Sequence, residues 1–289
     1  MNFETEIGRR ADEVSAFLRA WFAEFGPERG NAIGRLADSM AYSALGPGKR
    51  FRPVLSLLVG ESLGIPAIKI MPWAAAVEMV HTYSLIHDDL PCMDDDDERR
   101  GRPTNHRAFD EATALLAGDA LLTEAFGLIG DAYSGAGATA GRLVVLLAHC
   151  AGARGMVGGQ ALDLAAEAAS AQREIPLADL RRIHELKTGR LIRASTEGAA
   201  IAAGAAENGV RAFRAFGEKL GLAFQIADDI LDAHEEGQDG RSFVQHLGVE
   251  GARRELAGVS EEARALLIGI PAASPLLVKM IDWNLDRRA

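Results

Sequence analysis

The sequence has few cysteines and no excess of basic residues. Cys92 and Cys150 are the only cysteines among 289 residues, which is too few for a disulfide framework and is typical of a reducing cytoplasm. The net charge of −10 argues against nucleic acids and anionic membrane surfaces as partners, because both bind basic patches. An anionic substrate would therefore depend on metal ions and local arginines.

Long apolar runs are also missing. The longest, at 143–148 and 199–206, fall well below the roughly 20 residues that span a bilayer. We interpret both runs as core helices and expect no membrane span. The charged opening segment MNFETEIGRR lacks the apolar stretch of a secretion signal, so we expect a cytoplasmic protein.

Helical periodicity recurs along the chain, and no segment alternates polar and apolar residues over a useful strand length. At 289 residues with 48% hydrophobic content, the chain can bury a large core in one large or two smaller domains. Apolar spacing and breakers predict helices at 7–25, 32–44, 54–63, 72–87, 112–129 and 177–203, and a further helix from Arg142 into GMVGGQALDL. An all-α helical bundle is the simplest account.

The most unusual segment is HTYSLIHDDLPCMDDDDERRGRPTNH at 81–106, in which seven of the eleven residues 88–98 are carboxylates. Two like charges about 4 Å apart repel by roughly 4 kcal/mol at an effective dielectric of about 20, so such a cluster is costly without cations. An acidic run is often only a solvated loop, but apolar residues lead into this one. Its carboxylates suit Mg²⁺, and Arg99 and Arg100 suit phosphate. Pro91 is expected to distort the helix and return Asp94 towards Asp88.

We call the carboxylates from Asp88 to Glu98 the first acidic motif. A second acidic motif lies in GLAFQIADDILD, about 140 residues downstream. Asp228 and Asp232 are four residues apart and share one helix face, which Gln225 joins. The surrounding residues are apolar, so the helix should be buried along much of its length, and buried acids are rarely left unpaired. We expect the two acidic helices to face each other across a metal-filled cavity.

Six motifs occur in order along the chain, two of them within these acidic segments: GKRFRP, RRGRPTNH, AGDALL, GMVGGQALDL, HELKTGRLI and FQIADDILD. Through these motifs the chain resembles the trans-isoprenyl diphosphate synthases over nearly its whole length, and most closely their bacterial farnesyl diphosphate members. The resemblance implies a single domain over 1–289. Its fold would be one large antiparallel helical bundle of the isoprenoid synthase type around a central active-site cavity, and the protein would form a homodimer.

The resemblance also assigns ligands. Mg²⁺ would be held between the two motifs by Asp88, Asp89, Asp94, Asp228, Asp229 and Asp232. Isopentenyl diphosphate would contact Lys49, Arg52, His81 and Arg100. The allylic diphosphate would contact Arg99, Lys187, Thr188 and Gln225. Catalytic roles would fall to Asp88, Asp89, Asp94, Lys187 and Asp228. Taken alone, a cationic turn, a lysine within a helix or a histidine on an apolar face is more often solvated or structural.

The implied reaction is electrophilic prenyl transfer, in which an allylic cation is attacked by the double bond of isopentenyl diphosphate. In this family the position of Tyr83, five residues before the first aspartate, forms the floor of the elongation cavity. A large aromatic residue there, with the insertion Pro91-Cys92 in the first motif, implies a C15 product. A geranylgeranyl (C20) synthase remains an alternative, because PTNH and CMD also resemble that type.

The sequence departs from the family after Asp232, where no lysine occurs between Lys219 and Lys279. Relatives carry a lysine there that contacts the allylic diphosphate. Arg241 is the candidate substitute in this chain, and its guanidinium group differs from a lysine ammonium group in shape and reach. The missing lysine leaves a second alternative, a non-catalytic partner subunit. The basic end at Arg287 and Arg288 is expected to fold back over the active site.

Overall fold

The computed structural model describes residues 3–28, 30–170, 175–233, 242–270 and 273–287. Over these residues the regular secondary structure is helical apart from one short hairpin, which confirms the predicted all-α fold. The helices up to the first acidic motif are α1 (Phe3–Ala23), α2 (Ala32–Ala44), α3 (Phe51–Ser62) and α4 (Ala67–Asp88). Those that follow are α5 (Asn105–Ala108), α6 (Glu111–Tyr133), α7 (Thr139–Ala151), α8 (Met156–Ser170) and α9 (Leu177–His184). The last are α10 (Arg190–Ala202), α11 (Glu207–Asp232), α12 (Phe243–Ile268) and α13 (Pro275–Leu285).

The chain packs into two compact units. The first unit comprises Met1–Leu57 and Ala67–Gly141, and the second comprises Leu58–Pro66 and Arg142–Ala289. The expectation of one domain over 1–289 stays a prediction. The first acidic motif and the GKRFRP turn belong to the first unit, whereas HELKTG and the second acidic motif belong to the second.

Helix α4 is the core of the first unit, and it begins at Ala67, five residues before the predicted start at Pro72. Tyr133 of α6 explains how the helix tolerates a proline. Its hydroxyl accepts a hydrogen bond from the Trp73 backbone N at 3.3 Å and donates one to the Lys69 carbonyl at 2.9 Å. The hydroxyl thus links the Trp73 N–H to the Lys69 carbonyl, the donor and acceptor of the helical hydrogen bond next to Pro72, which the proline weakens.

The second unit is centred on α11, which packs against α10 and α12. One cluster of buried apolar residues joins α9, α11 and α12 and includes Leu180, Ile226 and Phe243. On the opposite side, Gly217 of α11 lies against α10, where a Cβ would lie 2.8 Å from the Cα of Arg193. The Thr196 hydroxyl there donates to the Phe213 carbonyl at 2.7 Å. Close packing on both sides fixes α11, which carries the second acidic motif.

Three local features differ from the prediction. The helix expected from Arg142 into GMVGGQALDL is broken between α7 and α8. The helix expected over 177–203 is interrupted by a π-helical turn at Glu185–Gly189, between α9 and α10. Two strands, β1 (Glu98–Arg99) and β2 (Arg102–Pro103), pair in an antiparallel hairpin. Its turn residues Arg100 and Gly101 have φ of 55° and 72°, the geometry of a tight hairpin turn.

Helix α6 and the stretch Thr139–Ala169 are long and apolar enough to cross a membrane by length and composition alone. The buried helices of soluble proteins share both properties.

Candidate active site

The first acidic motif begins where α4 ends, at Asp88. The expected distortion near Pro91 is confirmed, because the helix does not continue through it. The Asp94 backbone N donates to the Asp88 carbonyl at 2.9 Å, and Asp95 takes a positive φ of 54°. The chain thereby returns, and Asp94 lies next to Asp88.

Asp89 and Arg99 form a partly buried ion pair. Arg99 Nε donates to Asp89 Oδ1 at 2.6 Å, and its Nη2 reaches Asp96 at 3.2 Å. Asp89 is only 3% exposed, and burial raises the pKa of its carboxyl, which the hydrogen bond from Arg99 opposes. A predicted ligand of the allylic diphosphate is therefore bonded directly to a predicted ligand of the metal.

Beside this pair, the structure brings predicted ligands of isopentenyl diphosphate together. Arg52 Nη1 lies 3.3 Å from His81 Nε2, and Arg100 donates to the Pro47 carbonyl at 2.9 Å. Lys49 is exposed on the same loop. Burial, followed by the charge of Arg52, holds the pKa of His81 well below its usual value, so the ring is neutral at pH 7. A neutral imidazole among guanidinium groups keeps one nitrogen as an acceptor.

Arg50 of the GKRFRP motif does not join Lys49 and Arg52 as an anion ligand. Its side chain is buried. Its Nη1 lies 2.6 Å from Glu78 of α4, its Nη2 donates to the Gly46 carbonyl at 2.9 Å, and its φ is 49°. Arg50 thus fixes the turn to α4 and leaves anion binding to its neighbours.

The second acidic motif is held by α12 and by the end of the chain. Asp229 is buried and accepts hydrogen bonds from the Phe243 backbone N at 2.7 Å and from Gln225 Nε2 at 3.3 Å. Burial raises the pKa of Asp229 to about 7. Asp228 pairs with Arg287 at 2.6 Å, whose guanidinium lies 4.7 Å from the centre of the Phe224 ring. The basic end of the chain therefore reaches the motif, while Arg288 and Arg241 lie outside the described residues.

Lys187 and Thr188 occupy the π-helical turn Glu185–Gly189. Such turns occur often at functional sites, because they project side chains off the regular helical register. Lys187 Nζ lies 2.6 Å from Asp163 Oδ2 of α8. The sequence predicts no partner for Asp163. The ion pair, like that of Asp228 with Arg287, carries no periodic signal that could have predicted it.

The donors present fit Mg²⁺. Among the residues that the structure describes, no three acidic, histidine or cysteine side chains converge on one point. Mg²⁺ does not require such a cage, since it usually binds one or two carboxylates and completes its shell with water and phosphate oxygens. Asp88 and Asp94 offer hard carboxylate oxygens of this kind in the first unit, and Asp228 and Asp232 offer them in the second.

The fold and these sites define an all-helical protein with two acidic motifs, each beside cationic side chains suited to phosphate. Residues 34–245 match the family model described as Polyprenyl synthetase. The chain is 42% identical to the farnesyl diphosphate synthase of Bacillus subtilis over 261 residues, 86% of this chain and 87% of that protein. It is 41% identical to the chloroplastic geranylgeranyl pyrophosphate synthase of Catharanthus roseus over 246 residues, 81% of this chain and 68% of that protein.

Among solved structures, an apo FPP/GFPP synthase from Zymomonas mobilis matches with a TM-score of 0.88 and 35% identity, covering 98% of this chain and 99% of that one. This likeness confirms the isoprenoid synthase fold that the resemblance implied. The chain belongs to the polyprenyl synthetase family.

Proposed function

We propose that the protein is a Mg²⁺-dependent prenyltransferase. It condenses isopentenyl diphosphate with dimethylallyl or geranyl diphosphate and releases trans-farnesyl diphosphate and pyrophosphate. The observation that carries the proposal is the grouping in the first unit, where Asp89 is bonded to Arg99 at 2.6 Å and Arg52 lies 3.3 Å from His81. The 42% identity to a farnesyl diphosphate synthase over 86% of the chain supports it.

Each predicted substrate ligand has a role in the reaction. Arg99, Lys187, Thr188 and Gln225 bind the allylic diphosphate, while Lys49, Arg52, His81 and Arg100 bind isopentenyl diphosphate. Mg²⁺, which the aspartates of the two acidic motifs would hold, would neutralise the charge of the diphosphate and make it a better leaving group. As the allylic C–O bond breaks, the double bond of isopentenyl diphosphate attacks the developing cation. The departing pyrophosphate takes the proton that is then lost, and apolar walls exclude the water that would trap the cation as an alcohol.

Tyr83 supports a C15 product. The side chain is 5% exposed, and its ring packs edge to face against His87 with centroids 5.7 Å apart. His87 is held in turn, since its Nε2 lies 3.0 Å from the Leu115 carbonyl of α6. An aromatic residue braced in this way is a rigid barrier to a growing chain, as the proposed cavity floor requires.

The direct test is incubation of the purified protein with Mg²⁺, isopentenyl diphosphate and either dimethylallyl or geranyl diphosphate, followed by chain-length analysis. A C15 product that is lost in Asp88→Ala and in Asp228→Ala supports the proposal. A C20 product would favour geranylgeranyl diphosphate synthesis instead. No product from either allylic substrate would favour a partner subunit that lacks turnover.

We also propose a cytoplasmic homodimer. Leu115 and Leu116 on α6 are 47% and 55% exposed, and adjacent apolar side chains of this kind suit an interface with a second copy. The free cysteines Cys92 and Cys150 suit a reducing compartment. Light scattering coupled to size exclusion tests the assembly, and Leu115→Glu with Leu116→Lys should convert a dimer to monomers.

A further inference from the structure

The ammonium group of Lys187 is held by one carboxylate of α8. Lys187 Nζ lies 2.6 Å from Asp163 Oδ2, and the two side chains are 34% and 23% exposed. A lysine side chain is a flexible four-carbon stem that normally samples many rotamers. Here the pair is shielded enough to hold one arrangement, yet it remains open to a ligand.

Glycines bring α8 against the turn that carries Lys187. A Cβ at Gly159 would clash with the Lys187 backbone N and would lie 2.6 Å from its Cα. Asp163 is four residues after Gly159 and therefore shares its helix face. On the other side of the turn, a Cβ at Gly221 would lie 2.8 Å from the Cα of Gly189. The π-helical turn is thus packed closely between α8 and α11, so the position of Lys187 relative to Asp163 is fixed by the backbone.

We infer that Asp163 is a positioning residue that holds Lys187 ready for the diphosphate of the allylic substrate, an inference that rests on the proposed function. An ammonium group has three N–H donors, so one bond to Asp163 leaves two for diphosphate oxygens. The side chain is then ordered before the substrate arrives, and binding does not have to restrict it. The opposite effect, repulsion between Asp163 and the diphosphate, is weakened because the ammonium group lies between them.

The variants Asp163→Ala and Asp163→Asn separate these two effects. The probe is inorganic pyrophosphate with Mg²⁺, titrated calorimetrically, together with kcat and KM for geranyl diphosphate. Positioning predicts that Asp163→Ala raises the dissociation constant and KM by about three- to tenfold, the cost of immobilising one long side chain. Asp163→Asn should recover most of the affinity, because its amide oxygen still accepts from the ammonium group. Glu167→Ala, which removes an exposed carboxylate one turn further along α8, is the matched control and should leave both constants unchanged.

A double-mutant cycle with Lys187→Gln shows whether Asp163 acts through Lys187. In that background Asp163→Ala should have no further effect, and circular dichroism should show the same melting behaviour for each pair of variants. Unchanged or tighter pyrophosphate binding by Asp163→Ala would overturn the inference, as would a loss that persists without Lys187. If the wild-type protein neither binds pyrophosphate nor forms product, the proposed function itself fails. If it does both and Asp163→Ala equals it, only the positioning role fails.

Discussion

At the scale of single residues, the proposed product length depends on one aromatic ring. Tyr83→Ala removes a buried side chain from α4 and opens space beyond the first acidic motif, so we expect products to lengthen from C15 to C20 or more. Liquid chromatography with mass spectrometry of the dephosphorylated products measures the shift. Tyr83→Phe keeps the ring and should keep C15. An unchanged product length in Tyr83→Ala would mean that another residue forms the floor of the elongation cavity.

The two cysteines should differ in reactivity. Cys92 is exposed, whereas Cys150 is buried, and burial raises the pKa of the Cys150 thiol to about 11. A raised pKa lowers the fraction of reactive thiolate, so iodoacetamide should modify Cys92 and leave Cys150 intact at pH 7 and still at pH 9. Peptide mass spectrometry checks this, and unfolding in urea should expose Cys150. Labelling of Cys150 in the folded protein would contradict its placement.

At the scale of helices, the hydroxyl of Tyr133 should stabilise α4. Tyr133→Phe leaves the Trp73 N–H and the Lys69 carbonyl without this bridge, and an unmet buried polar group costs about 1–3 kcal/mol. Urea unfolding should show a loss of that order. In a Pro72→Ala background the helix can close regularly, so the same substitution should cost less. An equal loss of stability in both backgrounds would show that the Tyr133 hydroxyl does not compensate for Pro72.

Helices were predictable where apolar spacing is regular, and α2 begins and ends at the predicted residues, Ala32 and Ala44. The breaks between α7 and α8 and at the π-helical turn were not, because a local change of hydrogen-bond register leaves apolar spacing intact. The hairpin of β1 and β2 has strands too short for a periodic signal. The acidic motifs were evident from composition, but the buried pair of Arg50 with Glu78 joins residues 28 positions apart. Such pairing depends on tertiary packing alone.

At the scale of the whole molecule, ligand binding should raise the stability of the folded protein. A ligand at about 100 times its dissociation constant adds about 2.7 kcal/mol to the free energy of unfolding. We therefore expect Mg²⁺ with pyrophosphate to raise Tm, and either component alone, or the pair with excess EDTA, to have a smaller effect. Differential scanning fluorimetry measures the shift, and Asp88→Asn should reduce it. A full shift by pyrophosphate alone would argue against a metal requirement.

The pairing of Arg287 with Asp228 makes the fluorescence of Trp283 an intrinsic probe of the second acidic motif. The same guanidinium lies 5.4 Å from the centre of the Trp283 ring. A cation that binds Asp228 competes with Arg287 for its carboxylate, and displacement of Arg287 changes the charge next to the indole. The emission of Trp283 should therefore shift as Asp228 is occupied, and Arg287→Gln should abolish that shift. With Trp21 and Trp73 replaced by phenylalanine, binding at the second acidic motif could be followed in real time without any attached dye.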